Sequence, residues 1–263
     1  MSATLPQFEI EITPEAMCRW LVGRDGALPD RLPRPGDEVP LSYLFFLRGQ
    51  PATATSMHRL LGRDPDRGIF GGVRYERSAS PTVGDRLLAT PEVVERRNAA
   101  SPRGDLVITT LRTRWTRNGE PAVMETVRMI DLPTIAPAPP AEGADPDPAL
   151  DPTGAPFSFT RSQIAWLTVA TGDLNPLHFD REYAAARLFP DVVVPGTLIA
   201  PTVERRLAEA AGKPLSVLDI RFRAPTHPDE AVALSTTAQG NVWSFEIVAE
   251  GRMRAAGTAE FAA

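Results

Sequence analysis

The 263-residue sequence has little of several residue types that mark particular protein classes. Cys18 is the only cysteine, which excludes a disulfide framework and a cysteine-based metal site and makes a reducing compartment the default. The three histidines have no clustered spacing, which argues against a zinc site. The glycines form no phosphate-loop pattern.

Charge and hydropathy exclude further classes. A formal net charge of −5 argues against a nucleic-acid partner, because the phosphate backbone requires a basic surface. The first residues lack a charged segment followed by an apolar core, so no signal peptide is predicted. Apolar runs fall far short of the roughly 20 residues that cross a bilayer. We predict a soluble cytoplasmic protein without a membrane partner.

The first part of the chain predicts one short helix followed by an antiparallel meander. Thr13 is a predicted N-cap with Pro14 at the first helical position. Asn118-Gly119 is the strongest hairpin signal in the chain. The patterns of Val, Ile, Leu and Thr predict strands over residues 73–77, 86–97, 106–117 and 122–130.

Residues 133–156 divide the chain. They contain eight prolines and almost no large apolar side chains, which predicts an extended or mobile linker. The domain prediction is therefore an N-terminal unit over residues 1–132 and a C-terminal unit over residues 157–263.

The C-terminal unit predicts helices followed by a second antiparallel sheet. Thr160 is a predicted N-cap for a helix that places Val169 toward the core. A longer helix runs to about Ala211, with Glu204 expected on its exposed side. Strands are predicted over residues 215–223, 231–238, 241–250 and 253–261.

The strongest chemical signal is in the loop between the helix that Thr160 begins and a second short helix predicted over residues 181–188. Asp173 and His178 stand five residues apart, so they can meet only if the Asn175-Pro176 turn folds the chain back. Together they are a candidate general acid/base pair. The alternative is that the aspartate only forms the turn and that the histidine is incidental.

A weak internal repeat suggests duplication. Residues 74–85 resemble residues 221–230, and each segment precedes a meander of strands. The two halves are therefore expected to share one fold. Because the first half has no counterpart of the Asp173 loop, any chemistry should be asymmetric.

Three segments, residues 170–180, 194–198 and 221–225, resemble the MaoC-like, (R)-specific enoyl-CoA hydratase family of the double-hotdog type. The resemblance implies an α+β fold: a double hotdog with two antiparallel sheets, each curled around a central helix. Its degenerate repeat would be the N-terminal unit, and its catalytic repeat the C-terminal unit.

The resemblance also implies an activity and a set of site residues. The expected enzyme is a hydro-lyase, a hydratase or dehydratase acting across the α,β bond of an enoyl or 3-hydroxyacyl thioester of coenzyme A. Asp173 and His178 would be catalytic, and Asn175 would order the loop. The backbone at Gly196, with Thr197, would bind the thioester oxygen. Neither a cofactor nor a metal is implied, and homo-oligomers are expected.

Several alternatives stay open at this point. The acyl group could be carried by acyl carrier protein, or the chain could be a non-catalytic subunit that binds acyl thioesters. Pro195 stands where many relatives have histidine, which puts the substrate preference in question. His58 and His227 are interpreted as structural. An acyl pocket could draw on Leu44, Phe45 and Phe46.

Overall fold

The computed structural model describes residues 3–48, 68–100, 105–131, 151–173 and 175–262. Five α-helices and one short 3₁₀-helix lie within these ranges. The helices are α1 (Pro14–Asp25), α2 (Tyr43–Arg48), α3 (Arg161–Thr171), the 3₁₀-helix (Pro176–His178), α4 (Arg181–Ala185) and α5 (Gly196–Ala211). The strands of the first half are β1 (Ala3–Thr4), β2 (Phe8–Glu11), β3 (Gly68–Arg77), β4 (Arg86–Ala99), β5 (Leu106–Arg117) and β6 (Glu120–Asp131). Those of the second half are β7 (Asp151–Pro152), β8 (Leu215–Phe222), β9 (Val232–Gln239), β10 (Val242–Ala249) and β11 (Arg252–Phe261).

The strands of both halves form one antiparallel sheet. Its order is β1-β4-β5-β6-β3-β8-β11-β10-β9-β7, and β2 also pairs with β4. The halves join where β3 pairs with β8, from Gly72 opposite Arg221 to Glu76 opposite Val217. The predicted α+β class is confirmed. The prediction of two separate sheets is wrong for the described residues, because the β3 and β8 edges bond to each other.

Local capping signals gave correct helix and hairpin positions. The Thr13 side chain accepts a hydrogen bond from the Ala16 N–H and begins α1. Thr160 and Gln163 form a capping box at the start of α3. Asn118 and Gly119 have φ values of 52° and 84°, as a two-residue hairpin turn requires.

Two predictions about which side chains face the core are wrong. Val169, near the end of α3, is 77% exposed because that helix buries its opposite side. Glu204 on α5 is 5% exposed and accepts hydrogen bonds from the Leu41 N–H at 2.7 Å and the Ser42 N–H at 2.9 Å. The carboxylate is buried because these backbone donors replace water around it.

The long helix α5 lies against the sheet and the helices of the first half. It contacts β8, β11, α1 and α2. Leu198, Val203 and Leu207 belong to the same buried cluster as Leu218 and Ile220 of β8. Burial of each such side chain contributes about 1.5–3 kcal/mol to folding, so this packing fixes the position of the helix start.

The described end of the predicted linker is extended and attached to the sheet. Asp151 and Pro152 pair with β9, and the Thr153 N–H donates to the Leu234 carbonyl at 2.7 Å. The rest of the linker, residues 133–150, lies outside the described ranges. No helix among the described residues is long and apolar enough to cross a membrane.

Candidate active site

The loop that carries Asp173 is built by local hydrogen bonds. Gly172 ends α3 in the left-handed conformation, with φ of 68°. The Asn175 N–H donates to Asp173 Oδ1 at 3.2 Å. The Asn175 side chain in turn accepts from the Leu177 N–H at 3.0 Å and begins the 3₁₀-helix. Asn175 therefore fixes both the carboxylate before it and the short helix that presents His178.

Asp173 and His178 are brought together across this loop. His178 Nε2 lies 3.6 Å from Asp173 Oδ2, and the two side chains are 12% and 34% exposed. This separation is longer than a hydrogen bond, so the two groups face each other without sharing a proton directly. A small donor such as a water molecule can be bound by both.

The backbone of Val193 sets the orientation and the tautomer of His178. His178 Nδ1 lies 2.7 Å from the Val193 carbonyl oxygen. A carbonyl only accepts, so Nδ1 carries the proton, and the lone pair of Nε2 in the neutral ring points toward Asp173. The Val193 N–H donates to the Leu177 carbonyl at 2.9 Å. The carbonyl of Val193 thus binds the His178 ring, and its N–H binds the residue before His178.

Three residues beyond Val193, the start of α5 presents backbone donors. The Pro195 carbonyl accepts from the Leu198 and Ile199 N–H groups at 2.9 and 3.2 Å. The N–H groups of Gly196 and Thr197, in the first turn, have no acceptor within the helix. Thr197 Oγ1 is buried and has no hydrogen-bond partner among the described residues. These donors, with the positive end of the helix dipole, suit an oxygen that gains negative charge.

Two aromatic rings, those of Phe70 and Phe222, pack against Gly196, and Phe45 packs against Phe70. The ring centroids of Phe45 and Phe70 are 4.8 Å apart, and those of Phe70 and Phe222 are 5.4 Å apart. A Cβ atom at Gly196 would lie 2.6 Å from Phe70 Cδ1 and 2.8 Å from Phe222 Cε2. Glycine is therefore required for this close packing. We name Phe45, Phe70 and Phe222 the aromatic wall.

The structure distinguishes among the predicted pocket residues. Leu44 and Phe46 are buried in the core, whereas Phe45 is partly exposed in the aromatic wall. Phe222 lies in one of the motifs that carry the family resemblance. No local pattern in the sequence indicated that Phe70 belongs to the site, because its place beside Gly196 depends on the pairing of β3 with β8.

The strand ends of the first half lie beside the loop. Leu177, Phe189 and Val192 form a small apolar cluster with Ile69 of β3 and Ile130 of β6. The segment that bears His178 is therefore packed against the N-terminal half. This contact joins the two halves at the candidate site.

Asp191 anchors the same segment from outside, and sequence reasoning missed it. It forms ion pairs with Arg161 and Arg181, and its Oδ1 accepts from the Val192 N–H at 2.7 Å. The hydrogen bond from Arg161, with support from Arg181, holds the pKa of the Asp191 carboxyl well below its ordinary value. The start of α3, the start of α4 and the Val192 peptide thus meet at one carboxylate.

A second histidine, His227, binds the same backbone segment as His178. His227 Nδ1 lies 2.9 Å from the Val192 carbonyl oxygen, next to the peptide that holds His178. His58 and Leu174 lie outside the described residues. Within the described ranges, no three His, Cys, Asp or Glu side chains cluster as a metal site would require.

Comparison with known families agrees with the resemblance seen in the sequence. Residues 147–257 match the MaoC like domain, and the family resemblance drawn from the sequence is confirmed. The matched segment contains every residue of the candidate acid/base loop and the start of α5. No curated protein sequence matches the chain closely enough to count as a relative.

Solved structures resemble the whole chain. HtdX from Mycobacterium tuberculosis has a TM-score of 0.75 and 20% identity, covering 98% of this chain and 100% of its own. The MaoC-like dehydratase from Phytophthora capsici has a TM-score of 0.74 and 16% identity, covering 99% of this chain and 96% of its own. Peroxisomal multifunctional enzyme type 2 from Drosophila melanogaster has a TM-score of 0.67 and 17% identity, covering 97% of this chain and 48% of its own. At such identities the likeness establishes the fold, which is the hotdog fold expected from the sequence.

Proposed function

We propose that the chain is a hydratase or dehydratase that adds or removes water across the α,β bond of an enoyl or 3-hydroxyacyl thioester. The observation that carries the proposal is the pairing of two features. His178 Nε2 faces Asp173 at 3.6 Å, and the start of α5, three residues beyond the Val193 carbonyl that holds His178, has donors without intrahelical acceptors. The match of residues 147–257 to the MaoC like domain supports it.

In the hydration direction, His178 and Asp173 bind the water between them. The lone pair of His178 Nε2 takes a proton from the water as its oxygen bonds to the β-carbon, and the α-carbon then receives a proton from the pair. A positioned base or acid of this kind contributes about 10²–10⁴-fold to the rate. In the dehydration direction the same groups act in reverse.

The thioester oxygen becomes an enolate oxygen between these two proton transfers. We assign its binding to the Gly196 N–H and the Thr197 hydroxyl, at the positive end of α5. The buried, unpartnered Thr197 Oγ1 supports this assignment, because such a hydroxyl is costly unless a ligand bonds to it. One oxyanion donor contributes about 2.7–4 kcal/mol in comparable sites.

We further propose that the chain is a double hotdog whose N-terminal repeat, residues 1–132, has lost its chemistry. The antiparallel pairing of β3 with β8 supports this, because a pseudo-twofold axis between two repeats would pair their equivalent edge strands in antiparallel fashion. The acid/base loop belongs to the C-terminal repeat, residues 157–263. The predicted linker, residues 133–156, would let one chain supply both repeats.

The test is a spectrophotometric hydration assay with crotonyl-CoA. We expect Asp173→Asn and His178→Asn each to lower kcat/KM by about 10²–10⁴-fold. Asp180→Asn is the matched control, because Asp180 is a nearby N-cap and asparagine caps equally well. Full activity of Asp173→Asn would show that the assigned acid/base pair is wrong.

The carrier of the acyl group is tested with the same enzyme. We propose coenzyme A, and comparable turnover of crotonyl-CoA and longer enoyl-CoAs is the expected result. Turnover of crotonyl-acyl carrier protein alone would show that the acyl group is carried by acyl carrier protein and not by coenzyme A. Tight acyl-CoA binding by calorimetry without turnover of either substrate would identify a binding subunit instead. Self-association, which the family resemblance implies, is tested by light scattering during gel filtration.

A further inference from the structure

Two histidines bind consecutive carbonyl groups of one backbone segment, residues 192–194, which we call the strip. His178 Nδ1 lies 2.7 Å from the Val193 oxygen, and His227 Nδ1 lies 2.9 Å from the Val192 oxygen. Both carbonyls only accept, so both imidazoles carry a proton on Nδ1. His227 follows β8 in the chain and comes from a different element than His178. The two rings therefore act on neighbouring peptides from separate parts of the fold.

The strip between them is held from both sides. The Val193 N–H donates to the Leu177 carbonyl at 2.9 Å, on the side of His178. The Val194 N–H donates to the Thr226 carbonyl at 2.8 Å, on the side of His227. Peptide units are planar and joined by only two soft dihedral angles per residue. The Val192 carbonyl and the Val193 N–H belong to one planar unit that ends at the Val193 Cα, so a shift of the Val192 carbonyl moves the Cα that carries the Val193 carbonyl.

His227 is itself firmly anchored. The backbone N–H of His227 donates to Glu230 Oε2 at 2.9 Å, and Glu230 Oε1 accepts from Arg254 at 2.7 Å. The side chains of Arg254 and Glu230 are only 8% and 12% exposed. Just beyond His227, the Asp229 N–H donates to the Phe159 carbonyl at 2.9 Å. These hydrogen bonds hold the backbone from which the His227 imidazole reaches the Val192 carbonyl.

We propose that His227 is a positioning residue for His178. Its Nδ1–H fixes the Val192 carbonyl, which keeps the Val193 carbonyl where it selects the Nδ1–H tautomer of His178 and directs Nε2 toward Asp173. The effect of His227 on kcat rests on the proposed function, whereas its effect on the tautomer of His178 does not. A test with both readouts therefore separates failure of this inference from failure of the proposed reaction.

Two substitutions at His227 separate positioning from mere space filling. His227→Asn puts an amide N–H close to the place of Nδ1 and can still donate to the Val192 carbonyl. His227→Gln puts its amide near the place of Nε2 and cannot. We expect His227→Gln to lower kcat for crotonyl-CoA by about tenfold with KM nearly unchanged, because the catalytic imidazole is misoriented. His227→Asn should stay within about threefold of the wild type.

The tautomer is measured by long-range ¹H–¹⁵N correlation spectra of the imidazoles. The chain has three histidines, so the His178 signals are assigned by their loss in His178→Asn. We expect the Nδ1–H form of His178 to dominate in the wild type and in His227→Asn, and to decrease in His227→Gln. An unchanged His178 tautomer in His227→Gln would overturn the inference, even if kcat fell. Equal behaviour of the Asn and Gln variants in both measurements would also overturn it.

Discussion

Substitution of Gly196 by alanine tests the geometry at the start of α5. A Cβ atom there would lie 2.6 Å from Phe70 Cδ1 and 2.8 and 2.9 Å from Phe222 Cε2 and Cζ. Carbon atoms normally approach to about 3.5–4.0 Å, so the rings or the helix must retreat by roughly 1 Å. The rings are packed against each other and against Phe45, so the helix start should share the movement.

The magnitude follows from this overlap. Overpacking of this kind costs about 1–3 kcal/mol of unfolding free energy. A displacement of roughly 1 Å at a donor that binds the reacting oxygen costs about 10²-fold in rate. We therefore expect Gly196→Ala to fold with reduced stability and to lose about 10²-fold in kcat/KM for crotonyl-CoA. Urea unfolding and the hydration assay give the two quantities.

A double-mutant cycle with Phe70→Ala refines the test. Removing the Phe70 ring relieves one of the two overlaps and lets Phe222, which packs against Phe70, move into the vacated space. Gly196→Ala should therefore cost about 0.5–3 kcal/mol less in that background. Phe70→Ala alone is the control for loss of the ring. If Gly196→Ala has wild-type stability and activity, or costs the same in both backgrounds, the steric reasoning is wrong.

Three further substitutions have distinct expected outcomes. Glu204→Ala should lower the unfolding free energy by about 3 kcal/mol, because the Ser42 N–H and its neighbours lose a buried charged acceptor. Glu204→Gln should lower the unfolding free energy by less, and equal losses in the two variants would contradict this explanation. Asp191→Asn should destabilise at pH 7 by on the order of 1 kcal/mol. Because Arg161 lowers the folded-state pKa of Asp191, that stabilisation is present above the unfolded pKa of about 4 and lost as the pH falls further, so wild-type and variant stabilities should converge in acid. Thr197→Val should lower kcat/KM by about 10²-fold without lowering the unfolding free energy, since the hydroxyl has no partner among the described residues. A parallel fall in the unfolding free energy would instead indicate that the hydroxyl has a structural role.

Features set by short-range chemistry were predictable from the sequence. The caps at Thr13 and Thr160 and the turn at Asn118-Gly119 depend on hydrogen bonds and φ angles within a few residues. The approach of Asp173 to His178 also belongs here, because the Asn175-Pro176 turn is local. For such features the pattern of residues and the structure agree.

Features set by contacts between distant segments were not predictable. Glu204 has the helical position of a surface residue, yet it is buried against backbone donors 162 and 163 residues away. Val169 has the position of a core residue, yet no element covers it among those described. The anchoring of His178 by Val193 likewise depends on a backbone carbonyl, which leaves no trace in residue types.

The pairing of β3 with β8 has a consequence for any attempt to divide the chain. Five residue pairs join the two halves there, from Gly72–Arg221 to Glu76–Val217. A fragment that begins near residue 157 would leave the β8 edge without its ladder partner, and an open edge templates the addition of another strand. Two copies of such a fragment would be expected to associate through β8, each replacing the missing half for the other.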